Sequence, residues 1–408
     1  MANNSEQKML TFKEALTRIE SSITPLSGSE QVSIVDALGR VAKQDVNSPI
    51  AVPAHTNSAM DGYAFRFDDI TPSGEPTHLI IIGGALAGKP FGGEVKSGEC
   101  VRIMTGAVLP QGADTVVMQE QVEATDSGAL IGGEISKGQN VRQAGEDLQQ
   151  GGVALAAGKR IRPAELGLLA SIGVSDLTVT RRPKVAFFST GDELRSIGER
   201  LEVGQIYDSN RYTLMGMLKD LGVEIEDMGI IPDDRRMTRE AFTAAAATAD
   251  MLITSAGVSV GEADYIAETL ASLGSVDFWK LAIKPGRPLA FGQIGNAQFF
   301  GLPGNPVAVM VTFHQFVVPA LRRMMGESTT LMPRFRVQCD AHLRKIPGRL
   351  EFQRGVLFQT PEGSWRVTTT GQQGSGILNS MSQANCFIIL SEESSSVEPG
   401  MEVEIQPF

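Results

Sequence analysis

The 408-residue chain is short of several things, and each shortage removes a class of protein. Its three cysteines, Cys100, Cys339 and Cys386, are far apart and form no CxxC pair. That argues against a disulfide framework or a zinc site and fits a reducing compartment. There is no excess of base: 36 Lys and Arg face 47 Asp and Glu, for a net charge of −11. A general nucleic-acid binder needs a basic face to displace counterions, so this balance speaks against one. A small anionic ligand remains open, provided local cations or a metal ion offset the charge. No apolar run approaches the ~20 residues that span a bilayer. The opening "MANNSEQKML" lacks the apolar core of a secretory signal. The expectation is a soluble, cytoplasmic protein with no membrane and no nucleic-acid partner.

Two familiar motifs are missing as well. "GVSVGEAD" (257–264) lacks the GK[ST] of a Walker loop and is not GxGxxG, so hydride transfer with a dinucleotide is a poor fit. Ser259 in "GVSVG" matches GxSxG by letter. The acid-then-His order of that hydrolase class would then have to use His314 or His342. His314 lies in an apolar helical run and reads as a satisfied core histidine.

What is present is length and glycine. The chain is too long for one ordinary core, so two to four domains are expected. Its 44 glycines, with no strict period, point to many tight turns. Residues 11–24 open with Thr11 and Glu14 in capping-box spacing and carry Leu16, Ile19 and Ile23 on one helical face. Residues 51–144 alternate short β-like runs ("HLIIIG", "VRIMTG", "DTVVMQE") with glycine-rich turns, which suggests a mostly β domain. A second helix at 161–174 starts near Pro163 and stops at Gly173. The β domain then reads as an insertion into a discontinuous linking domain, 1–50 with 145–181. Residues 182–328 repeat strand and helix, which predicts a doubly wound, mainly parallel sheet covered by helices. From 329 to 408 β-like runs return, as in a small β-barrel. The fold class expected is therefore α/β multidomain.

Ligands of such sheets bind beyond the carboxyl ends of the strands. Four of those ends carry unusual chemistry. "KVAFFST" is followed by Gly191, Asp192 and Glu193. "DMLITS" is followed by Gly257, Ser259, Gly261 and Asp264. "VDFWKLAI" is followed by Lys284 and Arg287, with Lys280 inside it. "NAQFFG" is followed by Pro303, Gly304, Asn305 and Pro306, where Asn305 suits a helix cap and Pro306 the first helical position. Singly these are turn residues, and Asp264 is a helix-dipole partner. Together on one edge they supply backbone amides for phosphate, carboxylates for Mg²⁺ and cations for the remaining negative charge.

Seven motifs occur in order: "SAMDGYAF", "IMTGA", "AGEDL", "STGDEL", "SAGVSVGEADY", "KPGRP" and "LPGNP". With them nearly the whole chain resembles the MoeA family of molybdopterin molybdenumtransferases, whose eukaryotic relatives include the carboxyl-terminal part of gephyrin. The resemblance implies molybdenum cofactor biosynthesis: Mg²⁺-dependent insertion of molybdate into adenylylated molybdopterin, with AMP released. It implies a four-domain homodimer whose α/β domain is like that of the molybdopterin adenylyltransferase of the preceding step. That enzyme would donate the substrate, and molybdoenzyme chaperones are a further partner class. By motif match, Asp192, Glu193 and Asp264 would face the metal and the phosphoanhydride. Lys280 and Lys284 would meet phosphate or molybdate. Asp61, Thr105 and Asp147 would add catalytic groups. Asp233, Gly257, Ser259, Gly261, Arg287, Arg354, Ser375 and the 303–306 corner would bind the cofactor precursor.

Plainer readings stand beside these. Asp61 before Gly62 and Thr105 before Gly106 are turn residues, Asp147 suits an Asx turn, and Asp233 with Asp234 enriches a helix amino terminus. Ala256 departs from the family, which usually has glycine there, and its Cβ would oppose a positive φ. Two rival functions share the α/β domain: an adenylyltransferase, and a scaffold with a vestigial site. The extra domains argue against the first. The intact Asp192, Glu193, Asp264, Lys280 and Lys284 argue against the second.

Overall fold

The structure is a computed structural model that describes residues 9–71, 75–126, 128–256, 264–329 and 332–408. The chain packs as two compact units. One comprises Met1–Glu30, Gly39–Lys43 and Val179–Phe408; the other comprises Gln31–Leu38 and Gln44–Thr178.

The first unit begins with α1 (Phe12–Ser22), which the Thr11–Glu14 capping box starts as the spacing predicts. Its Ala15 and Ile19 are fully buried, and Phe12 packs on Phe316 and Phe352 at ring distances of 5.4 and 5.7 Å.

The second unit is built on a six-stranded sheet of β1 (Gly62–Phe65), β2 (Thr77–Ala85), β3 (Glu99–Ile103), β4 (Thr115–Met118), β5 (Val122–Thr125) and β6 (Gly128–Ile131). The strand order is β4-β1-β3-β2-β6-β5. Gly62 is needed where β1 starts, because a Cβ there would collide with the Val117 carbonyl. Helix α2 (Pro163–Ser171) follows, shorter at both ends than expected, and begins at its proline.

The α/β sheet of the first unit is built from β7 (Lys184–Thr190), β8 (Glu224–Ile231), β9 (Met251–Ser255), β10 (Gly274–Lys280), β12 (Pro288–Ile294) and β13 (Ala297–Leu302), with the short β11 (Ile283–Lys284) between β10 and β12. The order is β8-β7-β9-β13-β12-β10. Four strands are parallel, whereas β12 runs antiparallel to both its neighbours. Alternation assigns the two faces. Val185, Phe187, Ile253 and Phe300 point into a core shared with α3 (Ser209–Leu221) and the helical run 306–324. Ala186, Phe188, Leu252 and Phe299 point into a second core with α4 (Arg235–Thr248) and α5 (Asp264–Leu273). Burial on both faces is why these strands read as unbroken apolar runs.

The helical run consists of α6 (Pro306–Thr312), a π-helical turn (Phe313–Val317) and α7 (Val318–Met324). The last strands are β14 (Phe335–Cys339), β15 (Leu350–Gln359), β16 (Trp365–Thr369), β17 (Cys386–Leu390) and β18 (Glu402–Pro407). Their order, β15-β16-β14-β18-β17, closes on itself through β15–β17 pairing, as expected of a small barrel. β11 joins this barrel, pairing in parallel with the start of β15.

Candidate functional site

Strand register brings the predicted ends to one edge of the α/β sheet. Thr190 lies opposite Ile231, Ser189 opposite Ser255, Ser255 opposite Leu302 and Lys280 opposite Pro288. Because β12 reverses direction between β13 and β10, β10 ends on the same edge as β7, β8, β9 and β13. The Ser189 and Ser255 hydroxyls meet there, buried, at 2.9 Å.

Beyond that edge, two predicted residues meet. The Asp233 amide donates to Asp192 Oδ1 at 3.3 Å, while Arg195 Nη1 donates to the Asp192 carbonyl at 2.9 Å. Asp234 has a structural role, its carboxylate capping α4 by accepting from Met237 N at 2.8 Å. Glu193 folds its carboxylate back over Gly191, where a Cβ would meet it. Asp264 is the first residue of α5, and its side chain lies outside the described residues, as do Gly257, Ser259 and Gly261 entirely.

The 303–306 corner differs from expectation in one respect. Pro306 is the first helical residue, and Asn305 holds the cap position with φ −72° and ψ 130°, but its side chain makes no capping bond. The Val307 amide instead donates to the Ser375 carbonyl at 3.1 Å. A carbonyl from the barrel thus satisfies a helix-start donor that a side chain would otherwise take. Asn210, which sequence reasoning missed, donates from Nδ2 to the Gly304 carbonyl at 2.7 Å. Pro303 is buried and Gly304 exposed. Ala256 stands against this corner: a Cβ built on Gly304 would lie 3.6 Å from the Ala256 Cβ.

The loop that carries Ser375 is held by Arg354. This arginine is 1 % exposed and sends Nη2 to the Gly374 carbonyl at 3.0 Å and Nε to Ser380 Oγ at 3.0 Å. Burial lowers its pKa to about 10. Arg354 thus fixes the loop that carries Ser375, and the expectation that it also contacts the ligand stands as a proposal.

The lysines differ from each other. Lys280 is half-buried at the end of β10, and its carbonyl accepts from Leu10 N at 2.9 Å. Lys284 is exposed, but its ammonium lies 3.3 and 3.4 Å from the two oxygens of Glu351. Arg287 is exposed, and its carbonyl ties back to Leu281 N at 2.7 Å. Between them Gly286 has φ 101°, and a Cβ there would strike Thr312.

In the second unit Asp61 and Thr105 come together. Asp61 Oδ1 accepts from both the amide and the hydroxyl of Thr105 at 2.7 Å. Those bonds, the amide first, hold the carboxyl below its usual pKa. Asp147 is exposed, anchored by its amide to the Val52 carbonyl at 3.0 Å.

Carboxylate oxygens are the ligands Mg²⁺ takes, commonly one or two from protein and the rest from phosphates and water. Among the described residues no three His, Cys, Asp or Glu side chains form a ready metal cage. Asp192 Oδ1 accepts from the Asp233 amide, and a site with so few protein carboxylates suits an ion carried mainly by a phosphorylated ligand. A cavity of about 740 Å³ lies elsewhere, lined by Lys13, Arg334, Arg336 and the serine-rich 391–396 loop, and contains none of the predicted site residues.

Three family models match in succession: the MoeA N-terminal region (domains I and II) over residues 10–173, a probable molybdopterin binding domain over 186–323, and the MoeA C-terminal region (domain IV) over 336–408. A molybdopterin molybdenumtransferase of Haemophilus influenzae is 43% identical over 402 residues, covering 98% of this chain and 99% of its own. Another, from a Nostoc species, is 34% identical over 97% of this chain and 93% of its own. A crystal structure of the molybdopterin biosynthesis moeA protein from Pyrococcus horikoshii superposes with a TM-score of 0.85 at 29% identity, covering 98% of this chain and 100% of its own.

Proposed function

The chain belongs to the MoeA family of molybdopterin molybdenumtransferases, enzymes of molybdenum cofactor biosynthesis, and we propose that its sheet edge inserts molybdenum from molybdate into adenylylated molybdopterin in a Mg²⁺-dependent step that releases AMP. The observation that carries this reading is the gathering of the acidic, basic and glycine-rich strand ends on one edge.

A phosphoanhydride resists attack because its oxygens are negative. Asp192, Glu193 and Asp264 would hold Mg²⁺, which would neutralise charge developing at phosphorus, with Asp233 beside them to contact the ligand. The chain's own contribution is fixed charge and position. Lys280 and Lys284 balance the phosphate and the molybdate. The Gly304 and Asn305 amides would meet oxyanions, and Gly257, Ser259 and Gly261 would bind the same precursor. Arg354 positions the Ser375 loop against α6. Asp61, with Thr105 fixing one oxygen, and Asp147 would be further catalytic groups, as the family motifs imply. Molybdate oxygen would attack the adenylate phosphorus, breaking the anhydride P–O bond and releasing molybdopterin phosphate; when the dithiolene sulfurs then bind molybdenum the Mo–O bond to that oxygen would break, and the oxygen would leave in AMP.

The proposal includes the four-domain division at 1–50 with 145–181, 51–144, 182–328 and 329–408. It also includes a cytoplasmic homodimer supplied by a molybdopterin adenylyltransferase, with molybdoenzyme chaperones downstream. No helix among the described residues is long and apolar enough to cross a membrane.

The test is incubation with adenylylated molybdopterin, Mg²⁺ and oxygen-labelled molybdate. AMP should appear in step with molybdenum uptake and carry the label; label entering only from water rejects the attack as written. Formation of pyrophosphate from ATP and molybdopterin instead would assign the earlier step. Asp264→Asn should lose metal insertion by about 100-fold or more while keeping its circular dichroism, since fixed charge at the reacting centre is worth several kcal/mol. Full activity in that variant removes Asp264 from the site.

A further inference from the structure

Lys284 has a partner that the motif does not announce. The β11–β15 pairing sets Lys284 opposite Glu351 in register. The Glu351 side chain is 4 % exposed, against 45 % for Lys284, so a nearly buried carboxylate meets a half-exposed ammonium. Other groups also hold Glu351. Gln353 Nε2 donates to Glu351 Oε2 at 3.1 Å and bonds the Arg344 carbonyl at 2.9 Å. Lys345 is 5 % exposed, its ammonium donates to the Ile346 carbonyl at 2.9 Å, and it feels the charges of both Glu351 and Lys284.

This arrangement has a physical consequence for an anion at Lys284. An oxyanion approaching the ammonium also approaches a carboxylate that solvent hardly screens. To bind, it must take Lys284 from Glu351. The carboxylate is not then abandoned, because Gln353 still donates to it and the Lys345 charge remains near. We infer that Glu351 is the resident counter-ion of Lys284, a positioning residue that holds the ammonium beside the barrel until a doubly charged oxyanion displaces it. A dianion such as molybdate offers Lys284 more than the single charge it gives up; a monoanion does not. Glu351 thereby makes this end of the site select by charge.

The inference rests on the reading of Lys284 as an anion contact, and calorimetric titration of the full chain with molybdate separates the two. Lys284→Met should weaken molybdate binding; an unchanged affinity overturns the anion-contact reading itself. Given that weakening, Glu351→Gln should bind molybdate roughly tenfold tighter, a difference of about 1.4 kcal/mol. It should also admit nitrate as a competitor. Glu351→Asp, which keeps the charge, should behave as the natural chain. In the Lys284→Met background, Glu351→Gln should have no further effect. Molybdate binding in Glu351→Gln that is unchanged or weaker, with circular dichroism intact, overturns the counter-ion role. The natural chain supplies a test that needs no variant: sulfate should compete with molybdate, while nitrate in tenfold excess should not. Equal competition by the two also overturns it.

Discussion

Ala256 holds a φ of 73°, one of two non-glycine residues with positive φ in the described chain. For an L-residue this region costs roughly 1–2 kcal/mol, because Cβ crowds the following carbonyl oxygen. The strain sits where β9 leaves the sheet, with the Ala256 amide bonded to the Leu302 carbonyl at 3.2 Å. Ala256→Gly should relieve it. Glycine also gains freedom in the unfolded chain, so the net stabilisation should be about 0.5–1 kcal/mol, read as a raised midpoint in urea. A lowered midpoint would show that the methyl group contributes packing worth more than the strain. Glu351 shows the opposite limit of reading residues singly. Nothing in "GRLEFQRG" marks it, since its meaning comes from Lys284, 67 positions earlier. Arg354, in the same stretch, is proposed as a ligand contact, and its role as a loop anchor is visible only in space.

Among elements, the run 306–324 is the clearest case of a local pattern completed by distant contacts. Its apolar composition makes it a buried helix, and Pro306 starts it. The π-helical turn at 313–317 and the barrel carbonyl on Val307 do not follow from local composition. His314 belongs to that turn, its ring 5.6 Å from that of Phe387 and 5.3 Å from that of Phe408. Burial pushes its pKa down to about 4 from 6.5. The unfolded chain therefore takes up a proton at a pH where the folded chain does not. Stability from neutral His314 is complete above about pH 6.5 and falls as pH drops toward 4, by on the order of 2–3 kcal/mol. His314→Phe should flatten that fall, measured as the melting temperature from pH 7 to 4. An unchanged slope would place the acid sensitivity elsewhere.

On the scale of the molecule, the proposed reaction, which would bring together two anions, needs many fixed charges, and no single motif supplies enough of them. The sheet supplies them by geometry, because parallel strands carry their carboxyl ends to one edge. The reversed β12 preserves the arrangement by returning β10 in the common direction, which brings Lys280 to that edge. The proposed homodimer predicts light scattering at twice the mass of one chain at micromolar concentration; scattering as a single chain under those conditions rejects it.

Sequence by itself determined the chain's family, the alternation of strand and helix, and the stretches proposed to carry the site. These depend on residue type, short-range periodicity and motif order, all of which are local. Tertiary structure alone decided which cation carries a counter-ion, which carbonyl meets the start of α6, and which loop Arg354 anchors. These depend on register between segments distant in the chain, where one step of pairing changes which charges face each other.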